Sequence, residues 1–179
     1  MSDNNYPPGQ FANQTGLNVS NLTLQPEHPE QYDDIFKLSG ITNSRFTTVT
    51  VVAGDCIENA LDINNKSVGV LIHDFHLYGG KQCAVVVKGG SSVTLEQGLI
   101  GPNPTATYDI ELGGWSDQSM EKSSLVLNAT RRIDGQPLRV VCGWWSVPTC
   151  LGGTKIEIMW LKSIEYHIYN IFSWIKTKL

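Results

Sequence analysis

The sequence predicts an all-β chain wound into a parallel solenoid, and three observations carry this prediction. Short apolar triplets begin at Phe36, Leu61, Val85, Ile110 and Val140, which are 25, 24, 25 and 30 residues apart. A second alternating run follows each of the first four triplets, and glycine doublets supply tight corners between the runs. A nearly fixed period of this length is typical of stacked repeats, and one coil of a β-solenoid fits it.

The second strand of each repeat is predicted from runs that begin at Phe46, Val68, Val93 and Leu125. Their apolar and polar residues alternate, which favours strands over helices. Asparagine, serine and glycine fill the linking stretches, where polar side chains bond a bending backbone. We interpret the Asn-x-Ser/Thr triplets mainly as such corners, with N-glycosylation as the alternative. These triplets begin at Asn13, Asn18, Asn21, Asn65 and Asn128.

This pattern resembles the right-handed parallel β-helix, the pectin-lyase-like fold that also occurs in phage tailspikes, fibres and other virion proteins. The resemblance covers roughly residues 17–153 and rests on the spacing, the x-Val-x-Leu alternation and the Asn/Ser/Gly corners. It implies about five coils, whereas carbohydrate lyases of this fold usually have more. Since one fold hosts many functions, the resemblance does not by itself give the activity.

The chain divides into three predicted parts. Residues 1–16 are expected to form a flexible N-terminal arm, residues 17–153 the parallel β-helix domain, and residues 154–179 an amphipathic, aromatic-rich C-terminal α-helix. The helix carries an apolar stripe with alternating spacings of three and four: Leu161, Ile164, Ile168, Ile171 and Ile175.

Three roles are open for this helix: a trimer seam, a cap on the solenoid, or contact with a membrane surface. Isoleucine at both seam positions leans towards trimers. Polar and charged residues interrupt every apolar window, so no transmembrane segment is expected.

Charge argues against nucleic acid as a partner. The chain has a net charge of −4, and its only adjacent basic pair is Arg131-Arg132. The N-terminus lacks the positive start and apolar stretch of a secretory signal, so ordinary export is not expected.

The four cysteines lack Cys-x-x-Cys spacing, and neither a metal nor a cofactor is expected. Cys56 and Cys83, about one coil apart, are interpreted as reduced core residues, with a disulfide between them as the alternative. Cys142 and Cys150 bracket a short loop as if closing it, so they are disulfide candidates, with two reduced thiols equally open.

Catalytic candidates are weak. The central residue of each triplet should face outwards, which places Asp62 and Glu111 on one face, two coils apart. Their backbones would lie ~10 Å apart, at the wide edge for an inverting glycosidase pair. In the run His73-Asp74-Phe75-His76, strand alternation predicts that His73 and Phe75 share one face and that the histidines point apart, which argues against a shared metal.

Three tryptophans are candidates for ligand binding. Trp115 follows a glycine doublet, and Trp144 and Trp145 lie between Cys142 and Cys150. Their flat rings suit stacking on a sugar or on a partner protein. The alternative is that Trp144 and Trp145 plug the last coil.

Together these features predict a structural or attachment component of a phage-like virus particle. The expected form is a homotrimer that contacts other virion proteins, with surface glycans as a further candidate partner. Its expected location is the virion, after synthesis in the host cytoplasm, and no enzymatic activity is favoured. The alternative is a carbohydrate-binding or depolymerase-like β-helix, with a polysaccharide lyase or hydrolase activity.

Overall fold

The structure, a computed structural model, describes residues 6–101, 105–113, 121–143 and 146–159. These residues form an all-β parallel solenoid of about five turns, which confirms the predicted solenoid. Its strands are β1 (Gly9–Ala12), β2 (Asn18–Leu24), β3 (Asp34–Ser39), β4 (Arg45–Val52), β5 (Asn59–Asn64), β6 (Val68–Tyr78), β7 (Cys83–Val87), β8 (Ser92–Glu96), β9 (Leu99–Ile100), β10 (Ile110–Leu112), β11 (Ser124–Asn128), β12 (Arg131–Arg132), β13 (Leu138–Cys142), β14 (Thr149–Leu151) and β15 (Ile156–Ile158). One short 3-10 turn, Pro29–Gln31, precedes β3.

The first sheet contains seven strands in the order β1-β3-β5-β7-β10-β13-β15. The predicted triplets stack in it without a shift: Phe36 pairs with Leu61, Leu61 with Val85, Val85 with Ile110, and Ile110 with Val140. All five side chains are fully buried. The sequence period therefore corresponds to one coil, with the apolar triplet positions packed inside it.

The second sheet bends at one residue in each coil. Asn21, Thr48, Asp74, Gln97 and Ala129 all have positive φ, between 50° and 56°. The strand pairing skips these positions in β2, β4 and β6, while in the later coils the bend separates β8 from β9 and β11 from β12. We call these five residues the left-handed corner. It gives each coil a third side.

The left-handed corner corrects the predicted facing of the histidine run. Phe75 is fully buried, whereas His73 and His76 are both more accessible and Asp74 is exposed. Since Asp74 has a φ of 53°, the backbone turns there and strict alternation stops. His73 and Phe75 therefore do not share a face, and the two histidines lie on either side of a corner.

Buried serines bond adjacent coils at the corner between the first and second sheets. The Ser67 hydroxyl accepts a hydrogen bond from the Ile41 backbone N–H at 3.0 Å, and the Ser91 hydroxyl accepts one from the Ser67 N–H at 3.2 Å. These contacts explain why serine recurs where the chain must bend inside the protein.

The strands extend beyond the range that the sequence assigns to the solenoid. β1 lies in the stretch 1–16 and pairs with β3, while β15 lies in the stretch 154–179 and pairs with β13. Gly9 occupies the position equivalent to Phe36, so the apolar triplet is not visible there. β15 follows only 18 residues after its partner positions in β13, well short of the period. The predicted helical stripe, from Leu161 to Ile175, lies outside the described residues.

Candidate functional site

The outer face of the first sheet brings together charged residues from successive coils. Asp62 and Glu111 flank Val86 in register, so they lie on one face two coils apart, as the sequence predicts. Asp34, Lys37 and Lys88 complete a group that we call the acid–lysine ladder: Asp34, Lys37, Asp62, Lys88 and Glu111. Asp34, Asp62 and Glu111 are each no more than 1% exposed.

Asp62 is the centre of this ladder. Its Oδ2 atom lies 3.1 Å from Lys37 Nζ and 3.6 Å from Lys88 Nζ, and it accepts a hydrogen bond of 2.9 Å from the Asn64 side-chain amide. Lys37 also lies 3.1 Å from Asp34 Oδ2, so one ammonium group bridges carboxylates of two coils. Asp62 Oδ1 is buried and has no hydrogen-bond partner among the described residues.

Burial dominates the protonation of Asp62. It raises the pKa of Asp62 to about 6; the positive charges of Lys88 and Lys37 oppose this rise, and the negative charge of Asp34 adds to it. Burial alone would lower the pKa of Lys37, but Asp62 and Asp34 outweigh it and leave that pKa raised.

Glu111 accepts hydrogen bonds from two neutral side chains. The Gln82 side-chain amide donates to its Oε2 atom at 3.1 Å, and the Tyr108 hydroxyl donates to the same atom at 3.0 Å. Burial raises the pKa of Tyr108, and the negative charge of Glu111 raises it further. The hydroxyl of Tyr108 therefore keeps its proton. Both Glu111 and Asp62 are fully buried, so a polymer in solvent reaches neither carboxylate in this conformation. A side chain that points outwards from its strand is therefore not necessarily exposed to solvent here.

The cysteines are free thiols. Cys56 and Cys83 are fully buried. The Cys83 thiol donates to the side-chain oxygen of Asn59 at 3.0 Å, and the Cys56 thiol donates to the Asn59 backbone carbonyl at 3.3 Å. The disulfide candidates Cys142 and Cys150 lie in β13 and β14, which belong to different sheets.

The histidine run forms a polar contact across coils. His73 Nδ1 lies 3.0 Å from Glu96 Oε2, and the Asn128 amide donates to Glu96 Oε1 at 2.6 Å. Both hydrogen bonds lower the pKa of Glu96, and the one from His73 has the larger effect. Within the described ranges, no three His, Cys, Asp or Glu side chains converge as metal ligands would. The three predicted ligand-binding residues, Trp115, Trp144 and Trp145, lie outside those ranges.

A pocket that the sequence does not predict lies in the last coils. It is a pocket of about 340 Å³ lined by Arg131, Arg132, Gly135, Gln136, Gly153 and Lys155. The adjacent pair Arg131-Arg132 was visible in the sequence. Lys155 and Gly153 come from the following coil, and only the stacking of the chain brings them there.

Comparison of the chain with protein-family models, with curated proteins and with solved structures gives no match. Among the residues that the structure describes, no helix is long and apolar enough to cross a membrane.

Proposed function

We propose that this chain is a structural and attachment component of a virus particle, as its resemblance to virion β-helix proteins implies. It acts as a homotrimer in contact with other virion proteins. The feature that carries this proposal is the open first coil, and the enclosed acid–lysine ladder supports it against an enzymatic role.

The first coil ends in two strand edges. β1 and β2 each pair on one side only, with β3 and β4, so their outer backbone groups meet no strand within the described part of the chain. Apolar side chains next to these edges are only partly buried: Phe11, Leu17, Val19, Leu22 and Leu24. An edge strand beside apolar surface is a template for pairing with another chain. This end therefore suits attachment to a neighbouring protein.

The flank of the solenoid offers less for catalysis. Asp62 is occupied by two lysines and an amide, and Glu111 by a phenol and an amide. An enzyme that cleaves a glycan needs its acid and base in contact with the substrate. The enclosed carboxylates fit a role in coil stacking better.

The trimer is tested by light scattering of the full chain in the absence of detergent. The expected mass is three times the 19.7 kDa of the chain. Ile168→Asp, in the predicted apolar stripe, should yield monomers that keep the β-sheet circular dichroism signal. Lys162→Asp, at a polar position of the same predicted helix, is the matched control and should remain trimeric. A wild-type monomer at every concentration would overturn the trimer.

The open first coil is tested by the same measurement at rising concentration. Exposed edges predict slow growth in mass beyond the trimer. Val19→Lys places a charge at a half-buried edge position and should abolish this growth without separating the trimer. Ser20→Lys, at the exposed neighbouring position, should affect it less. If the wild-type mass does not rise, or if both variants behave alike, the first coil is not the attachment surface.

A further inference from the structure

The pocket in the last coils is positively charged. Three of its six lining residues are cationic, namely Arg131, Arg132 and Lys155, and none is acidic. This concentration of positive charge occurs in a chain whose net charge is −4. The lining of the pocket is therefore opposite in sign to the chain as a whole.

The pocket is held open by its backbone. Gly135 and Gly153 both have a φ of +76°, and a Cβ atom at either would meet no other atom within 4 Å. The Gly135 N–H donates to the Arg132 carbonyl at 3.0 Å, which fixes the turn. On the opposite wall, the Lys155 carbonyl accepts from the Leu138 N–H at 2.9 Å. Both walls are thus tied to the sheets, and the space between them is preformed.

The acids beside the pocket are already engaged. Arg132 Nη2 lies 3.1 Å from Asp134 Oδ2, and its Nη1 lies 3.6 Å from Asp109 Oδ2. Asp109 is shared, because Arg139 Nη2 lies 2.9 Å from its other oxygen. Glu157, the further carboxylate nearby, is the register partner of Arg139.

One donor of the pocket is buried without a partner in the described part of the chain. Arg132 Nε is buried and makes no hydrogen bond within the described residues. Arg131 and Lys155 are exposed and form no ion pair there, so both are available to a ligand in the pocket that they line. A buried donor without an acceptor is costly, and a bound anion is the simplest group that removes this cost.

We propose that this pocket binds a tetrahedral oxyanion, namely phosphate or sulfate, either as the free anion or as a group of a small ligand. Guanidinium groups donate in a fixed plane and an ammonium group acts as a point charge, so Arg131, Lys155 and the free Nε of Arg132 can donate to one anion together. A phosphate or sulfate group offers at least three acceptor oxygens for them, whereas a carboxylate offers two. The volume of about 340 Å³ is at the lower end for small-molecule sites.

Anion binding is tested by isothermal titration of the full chain with sodium phosphate, sodium sulfate and sodium acetate at matched ionic strength. Phosphate or sulfate should bind at least about tenfold more tightly than acetate, which equals about 1.4 kcal/mol. Acetate binding as tight as both tetrahedral anions, or no binding of either, would overturn the proposal.

The residues are tested with two charge-matched double variants. Arg131→Gln with Lys155→Gln should weaken anion binding at least about tenfold while the melting temperature without anion stays the same. Lys81→Gln with Lys122→Gln removes the same charge from exposed positions outside the pocket and should leave binding intact. Equal weakening in both double variants would assign the binding to overall charge and refute the pocket.

The source of the anion is separated by a further titration with glucose 6-phosphate. Tighter binding of this ester than of inorganic phosphate indicates a phosphorylated saccharide, since the sugar ring then adds contacts inside the pocket. Equal or weaker binding indicates the free anion. Either result supports the oxyanion site. Neither depends on whether the chain forms a trimer.

Discussion

The left-handed corner makes Ala129 the most informative position for a stability test. Ala129 has a φ of 50°, and it takes the same place in its coil as Asn21, Thr48, Asp74 and Gln97. Asparagine and aspartate tolerate this conformation because their side chains bond locally, but alanine has a Cβ and no such bond. Ala129→Gly removes the steric conflict without removing a polar contact.

The expected gain follows from two opposing terms. The left-handed conformation costs an L-residue about 1–2 kcal/mol, and glycine avoids that cost. Glycine also raises the conformational entropy of the unfolded chain, which lowers the free energy of unfolding by about 0.4–1 kcal/mol. The free energy of unfolding of Ala129→Gly should therefore rise by about 0.5–1 kcal/mol, or roughly 1–4 °C in melting temperature for a chain of this length.

Urea denaturation followed by circular dichroism measures this change, with unchanged slopes as the check on the unfolded state. Ala60→Gly is the control: Ala60 is buried in β5 with an ordinary φ, so the substitution should destabilise by about 1 kcal/mol. In the next coil, Gly152→Ala should also destabilise, because its Cβ would lie 2.7 Å from the Ala129 backbone nitrogen. If Ala129→Gly loses as much stability as Ala60→Gly, the positive φ at Ala129 does not strain the folded state.

Three further predictions concern protonation, coil packing and thiol reactivity. Burial raises the pKa of Asp62 to about 6 from its ordinary 3.8, so the folded state holds the proton more tightly than the unfolded state. The stability of the wild type relative to Asp62→Asn should therefore fall, by up to about 3 kcal/mol, as pH rises from about 4 to about 7 in urea denaturation. Gly79→Ala would place its Cβ 2.5 Å from backbone of the stacked coil and should lower the melting temperature far more than Gly16→Ala, which meets no atom. With a thiol reagent, half-exposed Cys150 should react first and buried Cys83, whose pKa burial raises, only on unfolding.

The first sheet was predictable because its apolar positions follow one period along the chain. Phe36 and Leu61 are adjacent in space since each coil uses nearly the same number of residues. The left-handed corner was not predictable in this way, because its five members are of five residue types. Only Asn21 and Asp74 are of the residue types that favour a positive φ, so residue type does not mark this corner in the sequence. The wrong facing of His73 and Phe75 follows directly from that gap.

The sequence predicted which way the side chains of the candidate site point, but not that they are buried. Strand alternation places Asp62 and Glu111 on one face, and the register confirms it. Alternation carries no information on whether a face is covered, so their burial is not visible in the sequence. The cationic pocket is hidden for another reason. Arg132 and Lys155 are 23 positions apart, and only the stacking of the coils joins them.

Charges along the solenoid are matched between neighbouring coils. Lys37 bridges Asp34 and Asp62, and Asp109 lies between Arg132 and Arg139. A one-residue slip of any coil would separate these pairs inside the protein, where an unpaired charge is costly, so the pairs favour one register. The strand edges of the first coil meet no strand within the described residues, and Arg132 Nε in the last coils has no hydrogen-bond partner there. Binding functions of this solenoid should therefore be sought at its ends, while its flank maintains the stack.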